Sequence, residues 1–184
     1  MSIHIGRIGL AVIAVACLAP IYSRGQDLTE RLSPLASLLG HFEVVTFTED
    51  TDGKMSSGPV SQANIGTIHG GAFIREQVKY KSPGGDLDIV TYIGYDSRIG
   101  KFKLCAMDKQ FQSMDIYHGQ FEGKSLVFTN LNSDQPFQFG GGAEVHFKLT
   151  YIFTDNGFEH LVEGTADRGI TWFNFNRSTY KRIK

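Results

Sequence analysis

The segment from Ala143 to Phe153 alternates apolar and polar residues along its whole length. Successive side chains of a β-strand point to opposite faces, so this period of two predicts a strand with one face in a core and the other in solvent. His146 lies among the polar positions, and we therefore expect it to face solvent. The same alternation recurs from Leu87 to Tyr95 and from Phe102 to Ala106. Such repetition predicts a sheet with one buried face.

Ten extended segments follow one another, separated mostly by short turns. They are 41–48, 59–68, 71–81, 87–95, 101–107, 112–121, 125–131, 143–153, 158–164 and 171–181. Short turns join antiparallel neighbours, whereas parallel strands need long crossovers. A sheet made only of hairpins loses its exposed edges when it closes, so we predict an all-β fold, a roughly ten-stranded antiparallel up-and-down barrel. Ten strands enclose more space than side chains readily fill, which predicts an interior pocket.

One short segment before the strands has helical signals. Ser33 is a capping residue type, Pro34 suits the first helical position, and Gly40 is typical of a helix end. A helix this short is not stable alone, so we expect it to cover one end of the barrel.

The first 25 residues have the pattern of a secretory signal peptide. Arg7 precedes an uncharged stretch over residues 8–23, followed by small residues. This stretch is shorter than the roughly 20 residues that a membrane-spanning helix needs. We therefore expect a signal peptide over 1–25, and no stable transmembrane span once it has been removed.

Two cleavage sites fit the leader, one after Ala16 and one after Gly25. The second leaves an apolar segment of more usual length and is favoured. It gives a single barrel domain over 26–184 that is secreted or periplasmic. Two alternatives stay open, a lipoprotein modified at Cys17 and an uncleaved membrane anchor.

Charge and motifs exclude several functional classes. The chain has 18 Lys and Arg against 19 Asp and Glu, so no basic surplus exists to neutralise nucleic-acid phosphates. It lacks the His-x-His, Cys-x-x-Cys and His-Glu-x-x-His patterns of zinc sites, and it also lacks a phosphate loop and a hydrolase nucleophile elbow. No metal, cofactor or catalytic residue is therefore predicted, and no sequence signal indicates an oligomeric state.

Several short motifs occur in an order that resembles a known family. They are Leu35-x-x-Leu38-Leu39-Gly40-His41-Phe42, residues 70–76, 92–96 and 100–102, Asp108, Gly119, residues 126–128 and residues 180–182. This order resembles the bacterial family called domain of unknown function 1579, whose members look like lipocalin-type (calycin) barrels. The resemblance spans about residues 33–182 and implies a lipocalin-like barrel without a settled activity. More distantly, the barrel is similar to fatty-acid-binding proteins and to the haem-binding nitrobindins. The nitrobindin opening motif is absent, so haem is not implied.

Glu76 is the first candidate site residue. It shares a strand face with Ile74 and Val78, and if that face points inward the carboxylate lies inside the barrel. A buried carboxylate is costly unless it is paired, so a partner such as Arg177 or a hydroxyl is expected. Glu76 then either contacts a ligand or closes a structural hydrogen-bond network.

His160 is the second candidate, because it alternates with the apolar residues Phe158 and Val162. An inward histidine either contacts a ligand or is a satisfied interior residue. The same two interpretations, ligand contact or a satisfied interior residue, are open for His118. Trp172 either forms barrel wall or belongs to a recognition site.

Three functions are compatible with these patterns. The first is binding of a small, largely apolar ligand in the barrel interior, and its candidate residues are Glu76, His118, His160, Trp172 and Arg177. The second is a cavity-based enzyme, an isomerase, cyclase or hydrolase that uses Glu76 or His160 as acid or base. The third is a structural or interaction module with a filled barrel.

Overall fold

A computed structural model describes residues 30–49, 52–81, 86–138 and 142–183. In those ranges the chain forms twelve strands and two short 3₁₀ helices, Ser33–Leu38 and His69–Gly71. The strands are β1 Gly40–Glu49, β2 Met55–Ser57, β3 Ser61–Ile68, β4 Phe73–Tyr80, β5 Leu87–Asp96, β6 Lys101–Asp108, β7 Ser113–Glu122, β8 Ser125–Thr129, β9 Phe137–Gln138, β10 Glu144–Thr154, β11 Gly157–Thr165 and β12 Phe173–Arg182.

Ten of these strands close into a barrel. Starting from β1, the neighbours are β3, β4, β5, β6, β7, β8, β10, β11 and β12, and β12 pairs back onto β1. Every pairing is antiparallel, and Val44 lies opposite Tyr180 at the closing seam. The prediction of an all-β, ten-stranded, up-and-down barrel is confirmed. The two remaining strands, β2 and β9, lengthen the sheet beside β1 and β10.

The short N-terminal helix is confirmed, but its predicted cap is wrong. Ser33 lies inside the 3₁₀ helix and its hydroxyl donates to the carbonyl of Glu30 at 2.6 Å, so it does not cap the first turn. Leu35 and Leu38 are buried in the barrel core. The helix closes one end of the barrel, which we call the plugged end.

Arg182 joins this helix to the last strand. Its guanidinium donates to the carbonyls of Ser37, at 2.8 Å, and Leu39. Carbonyls at a helix end lack intrahelical partners, so a cation suits this place. The guanidinium also lies 4.9 Å from the centroid of the Phe42 ring, within cation–π range.

Aromatic rings fill the half of the interior that lies next to the plug. Phe158 stacks on Tyr180 with their centroids 4.2 Å apart, and it packs against the edge of Phe42 at 5.3 Å. Phe42, Phe158 and Tyr180 are each at most 2% exposed. This half of the barrel is therefore a packed core.

The other half, towards the end that we call the open end, is less filled. Three residues there, Ile89, Ala106 and Val162, pair with inward residues of neighbouring strands and therefore face inward themselves. They are nevertheless only half-buried. A side chain that points into a barrel is exposed only where solvent enters. Solvent therefore reaches these inward positions near the open end.

The prediction that His146 faces solvent is wrong. It lies on the outer face of β10, but it is only 6% exposed, and its Nε2 is 3.3 Å from the carbonyl oxygen of Ser133. The loop between β8 and β9 folds over this face. Asn130 anchors the loop by accepting a 2.6 Å hydrogen bond from the backbone N–H of Phe147. Alternation within one strand gives no sign of a loop that covers its outer face.

Within the four described ranges, no helix has the length and apolar character needed to cross a membrane. The signal peptide predicted over 1–25 lies outside these ranges and stays a prediction.

Candidate ligand-binding site in the barrel interior

Glu76 lies inside the barrel, as the alternation of β4 predicts. It sits between the buried residues Ile74 and Val78, lies opposite Thr91 of β5, and is 5% exposed. Its Oε1 is buried and has no hydrogen-bond partner among the described residues. Leaving a buried carboxylate oxygen without a donor costs free energy. Oε1 of Glu76 therefore lacks the hydrogen-bond donor that a buried carboxylate oxygen normally has.

A chain of hydroxyl groups approaches Glu76 from one side. The hydroxyl group of Tyr180 lies beside the carboxylate and lowers the pKa of Glu76, and its oxygen lies 2.7 Å from that of Tyr80. Ser178, whose hydroxyl oxygen is 2.8 Å from that of Thr46, lies close enough to lower the pKa of Tyr80. These groups come from β4, β12 and β1, so the chain spans the closing seam of the barrel.

Burial dominates the electrostatics of Glu76. It raises the pKa of the carboxyl group from 4.5 to about 7, and the hydroxyl group of Tyr180 offsets only part of that rise. Burial also raises the pKa of Tyr80 and of Tyr180, and the charge of Glu76 adds to both increases. Near neutral pH the phenols stay protonated while Glu76 is close to its titration midpoint.

His160 lies in the same interior region, as predicted. Its ring stacks on Tyr151 with the centroids 4.5 Å apart, and its edge approaches Tyr180 at 6.5 Å. Nε2 is buried and has no hydrogen-bond partner in the described ranges. Burial lowers the pKa of this imidazole to about 4, so it is neutral at pH 7.

Two tyrosines connect His160 to Glu76. Tyr180 touches both, and the pKa of Tyr151 is raised first by burial and then by the charge of Glu76. The residues that share these contacts are called the interior polar cluster below. They are Glu76, Tyr80, Tyr151, His160, Ser178 and Tyr180.

Two further carboxylates face inward nearer the open end. Asp115 of β7 lies opposite Ala106, and Asp108 of β6 lies opposite Ile89 at the rim. Burial raises the pKa of Asp115, and the nearby charge of Asp108 raises it further. The open half of the interior is consequently rich in negative charge.

The other three predicted site residues lie on the outside of the barrel. His118 occupies an outward position of β7. The ring of Trp172 is 4.5 Å from the Nζ of Lys148, an outward residue of β10. Arg177 donates to both carboxylate oxygens of Glu159 at 2.6 Å. The structure thus brings Glu76 and His160 together inside the barrel and leaves His118, Trp172 and Arg177 apart from them.

Each of these three residues lies outside the barrel for a different reason. In β12, Ser178 and Tyr180 take the inward positions, so Arg177 must point outward and cannot pair with Glu76. In β7 both faces carry apolar side chains, and the exposed Ile116 marks the outer one. Trp172 precedes the first residue of β12 and therefore follows no strand alternation.

Sequence analysis missed the hydroxyl partners of Glu76. An apolar–polar pattern places tyrosine among the apolar residues and ignores its hydroxyl group. Tyr80 and Tyr180 are therefore predicted only to lie in strands. One signal was present in β4, where Glu76 and Tyr80 are four residues apart and therefore share a face. Ser178 and Tyr180 share a face of β12 for the same reason, but nothing local indicates that both strands meet at the seam.

A concave surface lies on the outer face of the barrel. It is a groove of about 490 Å³ beside β1, β3 and β4, lined by residues that include His41, Gln62, Lys79 and Ile183. The barrel wall separates it from the interior polar cluster. Within the described residues, no group of three or more His, Cys, Asp and Glu side chains is arranged to hold a metal ion.

The fold and the interior define a class, the closed antiparallel ten-stranded barrels that carry a polar cluster inside. The family model described as "Protein of unknown function (DUF1579)" matches residues 31–182, and the chain belongs to this family. A crystal structure titled Rv2717c from M. tuberculosis has a TM-score of 0.56 with this chain at 14% sequence identity, covering 86% of this chain and 100% of that one. That likeness concerns the fold. No curated protein matches the chain significantly.

Proposed function

We propose that the open half of the barrel binds a small, largely apolar molecule that has one polar group. The observation that carries this proposal is the buried, unpartnered Oε1 of Glu76 within a wall that is otherwise mostly apolar and aromatic. An interior polar atom without a partner is costly in a finished core but useful in a binding site.

The apolar part of the ligand would lie against the inner wall of the open half. Ile89, Ala106 and Val162 face inward there and are only half-buried, so they have surface left to cover. Removing apolar surface from water contributes a favourable free energy of about 25 cal/mol per Å². A barrel of ten strands is also wide enough to hold a small ligand.

A row of phenylalanine rings at the open end supports access for an apolar molecule. Phe111 contacts Phe137 at 5.5 Å, Phe137 contacts Phe147 at 6.1 Å, and Phe147 contacts Phe175 at 5.5 Å. Phe111 is 57% exposed and Phe175 is 41% exposed. Large exposed apolar side chains in one place are typical of binding surfaces.

Filling the open half tests this proposal. Thermal shift and calorimetry with decanol should show binding to the wild-type protein. Ala106→Trp places a bulky ring inward and should abolish binding while the barrel still unfolds cooperatively. Gln120→Trp is the matched control, because Gln120 is exposed on the outer face of β7. No binding by the wild type, or full binding by Ala106→Trp, would contradict the proposal.

A second candidate function is acid–base catalysis in the same place. It is favoured by the pKa of Glu76, raised to about 7 by burial, since an acid or base works best near the operating pH. Tyr180 contacts both Glu76 and His160, so the two groups would serve one bound molecule. Mass spectrometry of a bound ligand over time tests this function. Conversion by the wild type but not by Glu76→Gln is expected, and an unchanged ligand in both would contradict it.

We also propose that the protein is exported after cleavage behind Gly25. The support is the sequence pattern of residues 1–25 alone. Expression in a bacterium followed by N-terminal sequencing of the extracytoplasmic protein tests this. A start at Gln26 is expected. A start at a lipid-modified Cys17 would favour the lipoprotein alternative, and retention of Met1 would contradict cleavage.

A further inference from the structure

We propose that the interior polar cluster selects amphipathic amines, molecules with an apolar body and a protonated amine at the polar end. This inference rests on the proposed function, because it names the class of ligand that the open half would take. It comes from the charges that face inward and from the hydrogen-bond donor that Oε1 of Glu76 lacks.

The first argument is the sign of the charges inside the barrel. The carboxylates of Glu76 and Asp115 occupy inward positions, and that of Asp108 lies at the rim, where it accepts hydrogen bonds from the backbone N–H groups of Gln110 and Phe111. Among the ten barrel strands as described, the inward arginine is Arg182, which lies at the plugged end and donates to the helix carbonyls. His160 is neutral at pH 7. A cation entering the open half is therefore attracted, whereas an anion is repelled.

The second argument is the hydrogen bonding of Glu76. One oxygen of its carboxylate is buried without a donor, and the residue as a whole is only 5% exposed. A protonated amine supplies up to three N–H donors and a full charge, and hydrogen bonds between ions are about twice as strong as neutral ones. The hydroxyl oxygens of Tyr80 and Tyr180, 2.7 Å apart beside Glu76, offer further acceptors.

The third argument is selectivity against the other common amphiphiles. A fatty acid would place a second carboxylate beside Glu76, so one of the two would have to be protonated. A neutral alcohol satisfies Glu76 with one hydrogen bond but leaves its charge unpaired. Excluding like charge is an ordinary means of specificity.

The affinity for an amine should depend on pH through the carboxylates. The groups that face Glu76 are Thr91 and Ile65 on the adjacent strands, and Tyr80, Tyr151, His160 and Tyr180 around it, with Asp115 further towards the open end. The phenols and His160 keep their protonation state between pH 6 and pH 8. A primary amine stays protonated in this range, like lysine. Ionisation of Glu76 should therefore strengthen amine binding about tenfold from pH 6 to pH 8.

The test compares decylamine, decanol and decanoate by calorimetry on the protein, below their micellar concentrations. At pH 7.5 decylamine should bind at least about tenfold more tightly than decanoate. Glu76→Gln should weaken this preference, with the inward charge of Asp115 still present, while it keeps decanol binding. Glu43→Gln is the matched control, because Glu43 is exposed on the outer face of β1, and its preference should equal that of the wild type.

The outcomes separate the two proposals. If decanol or decanoate binds as tightly as decylamine, amine selection is overturned and binding in the open half stands. If none of the three probes binds, the proposed function fails, and amine selection fails with it. Should Glu76→Gln not fold, the pH dependence of decylamine binding to the wild type decides instead. A flat profile from pH 6 to pH 8 would overturn amine selection.

Discussion

The carboxyl group of Glu76 is buried, so its charge is poorly solvated. The stability of the folded protein therefore depends on whether Glu76 is ionised. Burial raises the folded-state pKa of Glu76 to about 7, above its ordinary value of 4.5. The folded protein therefore binds this proton more tightly than the unfolded chain does. The contribution of Glu76 to stability is full below pH 4.5 and is lost as the pH rises through 7.

Glu76→Gln should remove the loss of stability that ionisation of Glu76 causes as the pH rises. The interval between 4.5 and about 7 corresponds to about 3 kcal/mol at most. Between pH 5 and pH 8, the free energy of unfolding of Glu76→Gln should fall by about 2–3 kcal/mol less than that of the wild type. Urea denaturation at intervals of one pH unit measures this. Glu43→Gln, with its exposed side chain, should follow the wild type, and parallel curves for all three proteins would refute the buried charge.

His160 should act in the opposite direction. Burial lowers its folded-state pKa to about 4, below the ordinary 6.5, so its contribution to stability is full above pH 6.5 and is lost as the pH falls towards 4. His160→Asn should therefore lose less stability than the wild type between pH 6.5 and pH 4. The same denaturation series measures this difference. His118→Asn is the control, since His118 lies on the outer face. Equal slopes for wild type and His160→Asn would contradict a buried neutral imidazole.

Alternation predicts which residues point inward but not what they touch. Glu76 and His160 can be found from the sequence because each interrupts an apolar face. Their common neighbour Tyr180 lies 104 positions after Glu76 in the sequence, so the contact depends on ring closure. The attraction of opposite charges predicts Arg177 as the partner of Glu76, but the register of β12 puts it outside.

Among the elements, the N-terminal helix is joined to the last strand by the side chain of Arg182. Arg182→Met keeps an apolar stem of similar length but removes the donors to Ser37 and Leu39. Because hydrogen bonds to charged groups contribute about 1.5–3 kcal/mol, we expect a loss of about 2–3 kcal/mol in the free energy of unfolding. Arg98→Met is the control at an exposed turn, where about 0.5 kcal/mol or less is expected. Equal effects of the two variants would contradict the role of Arg182.

The strands differ in how much space they leave on each face. At Gly119, an added Cβ would lie 2.3 Å from the Cδ1 of Phe128, whose ring is fully buried, whereas at Gly66 it would meet nothing within 4 Å. Gly119→Ala should therefore destabilise the barrel by about 1–3 kcal/mol, and Gly66→Ala by much less. Thermal unfolding of both variants compares a filled interior with an open exterior. A tolerated alanine at position 119 would show that this part of the core is loose.

Element prediction succeeds where a pattern is long enough to repeat. The ends of all ten barrel strands agree with the sequence prediction to within about two residues, because each strand has at least five residues and a turn on either side. The strands β2 and β9 have three and two residues, which is too short for a period of two to show. The predicted helix cap is wrong because Ser33 bonds a carbonyl one turn earlier, a contact that its residue type does not predict.

At the scale of the whole molecule, closure of the ring creates two interior halves with different properties. The plugged half is a packed aromatic core that stabilises the barrel. The interior polar cluster adjoins this core through Tyr180, and the open half beyond it holds half-buried apolar side chains; we propose the open half as the place of binding. Neither half exists in any single hairpin, so the sequence predicts an interior pocket but not which half of the barrel would hold it.

Binding in the open half requires that a bound amphiphile lie inside the barrel, and its position can be measured. Isotope-filtered nuclear Overhauser spectra of the protein with decylamine would report which side chains approach its chain and its amine. Contacts with Ile89, Val162, Tyr151 and His160 are expected, because these side chains surround the open half and the cluster. Contacts confined to His41 and Ile183 in the outer groove, with none inside the barrel, would contradict interior binding.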